Sequence, residues 1–392
     1  MTKKVELLAP SGDLERLKIS LLYGADAVYI GGQEYSLRAN AHNFSIEDIK
    51  EACSFAHNLN KKVYLTLNIV FHNEDLNDVY DFIEKAYNAG VDAFIVSDPF
   101  IIKYIKDNFD VEVHISTQGS TTNYESVEYW KNERIDRVVL AREVSIKEIK
   151  EIYEKTNLDL EVFIHGAMCT FYSGRCCLSN YFTNRDSNRG GCAQICRFAF
   201  DIDDYNEKFT MATKDLNMAS ILDKLIDSGA KSLKVEGRMR SAYYLATVIS
   251  SYRKLIDAYY DGTLNDELIA REEKILSRVA NRETSTHYYL KEADQNDQYY
   301  TGRQELSNQD FLALVLDYNP DTHIATITER NYFEVGNEVE IFTPEGNTYT
   351  FKIEKLYDED MNPIDVARHP EQILKLEVNY PITKDSMMRI KI

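Results

Sequence analysis

Over the first two thirds of the chain the apolar positions fall into one recurring unit. A stretch with helical spacing closes on a turn residue, and a short, almost unbroken apolar run follows at once. Gly24-Ala25-Asp26 leads into AVYIGG, Gly90-Val91-Asp92 into AFIVSD, Arg134-Ile135-Asp136 into RVVLAR, and Gly229-Ala230-Lys231 into SLKVEGR. Glycine suits the left-handed residue that ends a helix, and continuous apolar runs are what a parallel sheet buried on both faces requires. The pattern predicts strands near 5–9, 26–31, 62–70, 92–97, 111–116, 136–141, 160–165 and 231–236. Helical patterns at 46–59, 74–89, 145–156 and 241–261 separate most of them. Ser145 followed by Glu148 is a capping box, which starts a helix directly after Arg142 and Glu143. About eight such units with right-handed crossovers predict an α/β fold, a (β/α)8 TIM-type barrel.

Beyond residue 262 the period changes. A charged helical stretch at 264–280 gives way to short alternating runs such as FLALVLDY, HIATITE, EVEIFTP and TYTFKIEKL, separated by Asn-Pro, Pro-Glu-Gly and Asp-Glu-Asp turns. Such runs predict a small C-terminal antiparallel β domain. The expected division is a barrel over 1–262 with a cysteine-rich loop at 166–200, a helical connection over 263–307, and a small β-barrel over 308–392. A chain of 392 residues is long enough for one barrel and one smaller domain.

Charge narrows the function classes. The net charge of -19 excludes a surface that is nucleic-acid-binding throughout, because phosphate affinity comes from Lys and Arg. Residues 310–392 carry 16 acidic against 8 basic side chains and make a poor phosphate platform. Segment 169–197 is the contrast, with Arg175, Arg185, Arg189 and Arg197 against Asp186 alone. Glu6 and Asp13 interrupt the N-terminal apolar run before it reaches signal-peptide length. No transmembrane stretch is evident, so a cytoplasmic protein away from membranes is expected.

Thiols in that compartment stay reduced, and clustered cysteines there point to metal or catalysis. Five of the six cysteines lie between 169 and 196. The spacing Cys169-x6-Cys176-x15-Cys192-x3-Cys196 falls in a polar stretch directly after the seventh strand. Four thiolates can complete a zinc tetrahedron or hold a 4Fe-4S cluster. Spacing alone leaves zinc and iron open, although the wide first gap is unlike the close pairs of a zinc ribbon. Cys177 is expected to pack beside Cys176, and Cys53, in EACSFAH, to lie in the core.

In a barrel of this kind, reactive side chains sit at the C-terminal ends of strands. That nominates Asn68, Asp98, Gln118, Arg142, Glu143, His165, Glu236 and Arg238. Each has a plain alternative. Arg142 with Glu143, and Arg238 with Glu236, would make ion pairs; Asp98 before Pro99 would cap a helix; and the two nitrogens of His165 are easily satisfied by backbone.

The run Glu161-Val162-Phe163-Ile164-His165-Gly166-Ala167-Met168-Cys169, with Ser173-Gly174-Arg175-Cys176 and Leu178-Ser179, resembles the signature of the peptidase U32 family of collagenase-like proteins. The resemblance extends to LLAPSGD at 7–13, GADAVYIGG at 24–32, Ser36-Leu37-Arg38-Ala39, Thr66-Leu67-Asn68, Ser116-Thr117-Gln118, Leu140-Ala141-Arg142-Glu143 and Lys234-Val235-Glu236-Gly237-Arg238. It implies a 4Fe-4S cluster on Cys169, Cys176, Cys192 and Cys196, and oxygen-independent hydroxylation of RNA or of a ubiquinone precursor, the RNA branches being linked to prephenate. On that basis the expected partner is tRNA and the expected reaction is prephenate-dependent uridine 5-hydroxylation. Arg142 and Arg238 would hold the dicarboxylate, and His165 and Glu143 would move protons. Glu236, Gln118, Asn68, Arg185 and Arg189 would line the substrate path. Tyr172, Tyr181, Phe182 and Phe198 would either stack an unpaired base or pack around the cluster. Two other readings stand beside this one. The first is a peptidase using His165 with Cys169, which is excluded if Cys169 is a ligand; the second is a non-catalytic subunit of a paralogous U32 hydroxylase.

Overall fold

The computed structural model describes residues 4–37, 43–201, 203, 208–280, 282–299 and 309–392. Eight parallel strands form the barrel: β1 (Glu6–Pro10), β2 (Ala27–Gly31), β3 (Lys62–Leu67), β4 (Ala93–Val96), β5 (Glu112–Ile115), β6 (Arg137–Val139), β7 (Asp159–Gly166) and β8 (Ser232–Val235). Each pairs in parallel with the next along the barrel, and β8 pairs with both β7 and β1, which closes it. Helices α1 (Leu14–Leu22), α2 (Ile46–Asn58), α3 (Val79–Asn88), α4 (Pro99–Asn108), α5 (Tyr124–Asn132) and α6 (Ile146–Thr156) follow the first six strands. The Ser145 capping box forms as expected, with the Ser145 hydroxyl accepting from Glu148 N and the Glu148 carboxylate accepting from Ser145 N.

The recurring turn works through two features. Its first residue is left-handed: Gly24 at φ 110°, Gly90 at 98° and Gly229 at 93°, with Arg134 taking the same region at 63°. Its aspartate then bridges backward to the neighbouring strand. Asp26 accepts from Leu7 N at 2.9 Å, Asp92 from Val63 N at 2.7 Å and Asp136 from Val113 N at 2.8 Å. Each carboxylate thereby satisfies a strand-end donor that burial would leave unpaired.

The barrel interior departs from the apolar filling that the strand sequences suggest. Glu161 on β7 is fully buried and accepts from Lys234 Nζ of β8 at 2.7 Å and from Arg137 Nη1 of β6 at 3.2 Å. Arg137 also donates to Glu6 of β1 at 2.5 Å, and Glu6 accepts from Tyr64 Oη at 2.7 Å and Ser232 Oγ at 2.8 Å. Two carboxylates and two cations make the cluster neutral, which is the condition for keeping charge out of water. Burial by itself would raise the Glu161 carboxyl, but Lys234 and Arg137 outweigh it and hold the group below the usual carboxylate range.

Helix α8 (Leu222–Asp227) precedes β8, and helices α9 (Ala242–Tyr260) and α10 (Asp266–Val279) follow it and complete the outer layer. Beyond α10 the described part of the expected helical connection holds only the 3-10 turns His287–Tyr289 and Gln295–Asp297. Thr284–Ser285 pairs in parallel with 215–216, and the turn His287–Tyr289 returns to the barrel mouth. The expected boundary at 308 lies outside the described residues, as does Arg38. Residues Phe311–Ile390 form an eight-stranded antiparallel sheet around a second core containing Leu312, Val315, Ile327, Phe333, Val339 and Met388. Among the described residues its pairings run from edge to edge without a closing pair, so it is an open sheet rather than the expected barrel. Its two edges are Thr348–Lys352 and the short Pro363–Ile364 segment, and in the latter proline lacks an N–H to extend the ladder.

This sheet rests on the outer helices. Tyr243 of α9 stacks on Phe311 at 4.5 Å, Tyr23 Oη donates to Asp385 O at 2.8 Å, and Arg278 of α10 pairs with Asp310. No helix among the described residues is long and apolar enough to cross a membrane.

The buried cluster sets a testable pH dependence. A carboxyl whose folded pKa is depressed stabilises the fold above its unfolded value of about 4.3, and that contribution is lost as pH falls through the folded pKa. Glu161→Gln should cost about 3–5 kcal/mol at pH 7, since it removes the charge that Lys234 and Arg137 face. The gap to wild type should narrow in acid. Urea unfolding followed by circular dichroism checks this, and an unchanged midpoint at pH 7 would remove the cluster from the stability account.

Candidate functional site: a cysteine loop clamped over the barrel mouth

Strand β7 feeds directly into the cysteine loop. Gly166 makes the exit at φ 105°, where a Cβ would meet Glu236 O at 2.4 Å, so glycine is required for both conformation and space. The loop then runs across the C-terminal ends of several strands and is tied to each. After β6, Glu143 accepts from Ser173 N at 2.8 Å and Ser173 Oγ at 3.2 Å, holding Ser173 in a left-handed turn at φ 48°. After β5, Gln118 O accepts from Arg175 Nε at 3.1 Å and Nη2 at 2.7 Å. After β3, Val70 N donates to Asn188 O at 3.0 Å, and Arg189 grips Asp75 through two parallel bonds of 2.5 and 2.9 Å. Arg189 also donates to Val70 O at 2.8 Å. Charge-assisted, two-pronged bonds of this kind are the stronger members of their class.

Asp75 explains a departure from the expected helix at 74–89. The segment divides into a 3-10 turn, Asn73–Asn77, and the helix α3. The Asp75 carboxylate accepts from His72 N at 2.7 Å and faces Arg189, which fixes the turn beneath the loop.

Within the loop the backbone of Cys176 is held on both sides. Cys176 N donates to Asn188 Oδ1 at 3.2 Å, and Cys176 O accepts from Asn188 Nδ2 at 2.9 Å and from the Ser187 hydroxyl. Leu178 N points at Cys176 Sγ at 3.3 Å, a donor placed for a thiolate. Burial pushes the Cys169 thiol up, with Cys176 and Cys192 adding to the rise and Arg142 opposing it. Burial also pushes Cys196 up, with Cys169 and Cys192 adding and Arg197 opposing. Cys169 therefore lies within electrostatic reach of Cys176, Cys192 and Cys196, and Cys192 within reach of Cys196. Among the described residues no three Cys, His, Asp or Glu side chains converge on a single ion. Four thiol donors on one loop are a set that either a zinc ion or an iron-sulfur cluster accepts. Cys177, expected to pack, is exposed at the start of α7 (Leu178–Thr183). Cys53 is in the core as expected, where burial pushes its thiol up to about 12.

Beneath the loop, Arg142 lies flat over the Phe163 ring, 4.0 Å from its centroid, and its buried Nε has no hydrogen-bond partner. The anticipated ion pair with Glu143 is absent because Glu143 is committed to Ser173. Tyr289 Oη donates to Phe163 O at 2.6 Å, and His287 Nε2 meets Lys214 O at 2.8 Å. These two side chains were not legible as site residues. Their placement depends on Thr284–Ser285 joining the sheet beside 215–217.

The remaining candidates divide. Asn68 links the ends of three strands, accepting from Leu37 N at 3.3 Å and donating to Ser116 Oγ at 3.4 Å. Arg238 is buried and donates from Nη1 to Ser36 at 2.8 Å and Thr66 at 3.3 Å. Gly31 leaves room for that guanidinium, since a Cβ there would stand 2.0 Å from Nη1. Glu236 is half-buried, and its N–H donates to His165 O at 2.8 Å. Asp98 caps α4, accepting from Phe100 N and Ile101 N at 2.9 and 3.1 Å. His165 is buried against α9, with Nδ1 3.3 Å from Tyr252 Oη. Burial, aided by Arg240, lowers it to about 3, so the imidazole is neutral. Its contacts are with Tyr252 and Tyr244 of α9, not with Glu143.

The loop arginines divide as well. Arg175 and Arg189 dock the loop, Arg197 bonds to Gln194 at 2.9 Å, and Arg185 is exposed. Tyr172, Tyr181, Phe182 and Phe198 do not pack inward; each is more than half exposed, Tyr181 to 85%.

Comparison with known proteins agrees with this construction. The family model for peptidase family U32 matches residues 12–299, and that for the peptidase family U32 C-terminal domain matches 307–389. The chain is 46% identical to tRNA hydroxylation protein P1 of Bacillus subtilis, over 99% of this chain and 95% of that one. It is 38% identical to the 23S rRNA 5-hydroxycytidine C2501 synthase of Escherichia coli, over 65% of this chain and 40% of that one. It is also 32% identical to a collagenase of Porphyromonas gingivalis, over 90% of this chain and 89% of that one. With both family models matched in order and covering nearly the whole chain, the protein belongs to peptidase family U32.

Proposed function

We propose that this chain is a cytoplasmic RNA-modifying enzyme that hydroxylates uridine in tRNA at C5, with prephenate as the required metabolite. The observation that carries the reading is the near full-length identity of 46% with a protein named for tRNA hydroxylation. Cys169, Cys176, Cys192 and Cys196 would hold a 4Fe-4S cluster, which supplies one-electron chemistry to a reaction that uses no molecular oxygen.

The chain's own residues do the rest. Glu143, Gln118 and Asp75 hold the loop in place through Ser173, Arg175 and Arg189. Arg142, pre-oriented on Phe163, presents a guanidinium edge to a carboxylate of the metabolite. Arg238 fixes the facing wall by tying Ser36 and Thr66. Water does not reach the Arg142 Nε, and low polarity there strengthens the contact.

The geometry gives the peptidase reading little support. A thiol nucleophile needs a base within hydrogen-bond reach, and His165 is held on Tyr252 instead.

Nucleoside mass spectrometry tests the reading. tRNA from cells lacking the protein should lose 5-hydroxyuridine-derived nucleosides. Cys176→Ala should fail to restore them and should purify anaerobically without iron, whereas Cys177→Ala should restore both. Unchanged nucleosides in the deleted strain would refute the function. Stoichiometric zinc without iron in the anaerobic wild-type protein would refute the cluster.

Arg142→Lys keeps the charge but loses the planar fork, so prephenate binding should weaken by about 2 kcal/mol, the scale of a charged hydrogen bond. Calorimetry on the anaerobic protein measures it. Wild-type affinity in that variant would remove Arg142 from the site.

A further inference from the structure

The outer face of the cysteine loop has no role in the clamps described above, yet four of the exposed aromatic side chains among the described residues, Tyr172, Tyr181, Phe182 and Phe198, lie on this loop. Tyr181 and Phe182 on α7 meet edge to face at 5.3 Å, and Phe182 leans on Phe200 at 5.9 Å. Helix α7 packs against the turn Ile195–Arg197, which ends at Phe198. Tyr181, Phe182 and Phe198 are 85%, 53% and 52% exposed. Contiguous exposed rings of this kind mark a binding surface, because leaving them in water is unfavourable. Arg185 follows α7 and is exposed, while the loop's other arginines are engaged in docking contacts or in the bond to Gln194.

We infer that this face is a stacking platform for unpaired nucleotides of the RNA substrate, with bases on Tyr181 and Phe182 and Arg185 meeting a phosphate beside them. The inference rests on the RNA reading above and adds the surface and the kind of RNA it accepts. Stacking on a ring needs a free base face, which a duplex does not offer, so the platform selects a loop or a single strand. Charge favours RNA over a basic protein partner. Arg185 is, among the described residues, an exposed, uncommitted cation beside the rings in a chain whose net charge is -19. The position also fits, since the loop that carries the rings is docked on residues beyond the strand ends through Ser173, Arg175 and Arg189. A nucleotide held there stands at the entrance to the proposed site.

Fluorescence anisotropy with the full-length protein and a labelled unmodified tRNA transcript tests this. Tyr181→Ala with Phe182→Ala should weaken binding roughly tenfold or more, while Tyr181→Phe, which keeps the ring, should bind like wild type. Arg185→Ala should reduce the salt dependence of binding by about one counterion. Wild-type protein should also prefer the transcript's isolated stem-loop to a fully paired duplex of equal length. Circular dichroism and iron content establish that the variants are folded and loaded. Equal affinity of wild type and the double alanine variant overturns the platform and leaves the RNA reading intact. Loss of self-association in that variant, seen by sedimentation with RNA affinity unchanged, also overturns it and assigns the face to a second copy of the chain. If the wild type binds no RNA at all, both inferences fail together.

Discussion

A loop of some thirty residues that has no hydrophobic core of its own can hold four thiols in a fixed relation only if other elements supply the rigidity. Here the supply is polar and comes from the barrel. Glu143, Gln118 and Asp75 lie just beyond three different strands, and each takes donors from a different part of the loop. The contacts are spaced along the loop, so each intervening stretch is short and its conformational freedom is small. Between them Asn188 locks Cys176 from both sides, which carries the constraint from the barrel to a thiol.

The same economy governs the mouth. Glu143 belongs to the loop, so Arg142 is left to stack on Phe163 with a buried nitrogen lacking a partner. Such a group is costly unless something completes it. Below it, the neutral cluster of Glu6, Arg137, Glu161 and Lys234 replaces part of the usual apolar filling. That cluster ties β1, β6, β7 and β8 together across the barrel, so the strands that carry the cysteine loop and Arg142 share one rigid base.

Much of the barrel was legible because its signals are local. The turn residues Gly24, Gly90 and Gly229 and the apolar runs after them mark strands that the structure has, and the Ser145–Glu148 capping box places α6 correctly. The cysteines stood out by spacing alone. What escaped the sequence is long-range. Asp75 and Arg189 lie 114 residues apart, and nothing near either one announces the pair. His287 and Tyr289 reach the mouth only because a two-residue strand pairs with 215–216. Other features leave a trace in the sequence itself. Arg137, Glu161 and Lys234 are charged positions inside apolar runs, and the Asp after each of three turns recurs in the same place. His165 stands at the end of its strand, as the sequence places it, and burial against α9 decides its environment, which the sequence does not reveal.

If strand-end contacts are what fix the thiols, loosening a clamp remote from any cysteine should free the loop and leave the barrel intact. Amide hydrogen exchange on Asp75→Ala and on Glu143→Gln, read by mass spectrometry, measures this directly. The account predicts markedly faster exchange across 170–197 in both variants, with the protection of β1 to β8 unchanged. Wild-type protection of the loop in both variants would contradict it.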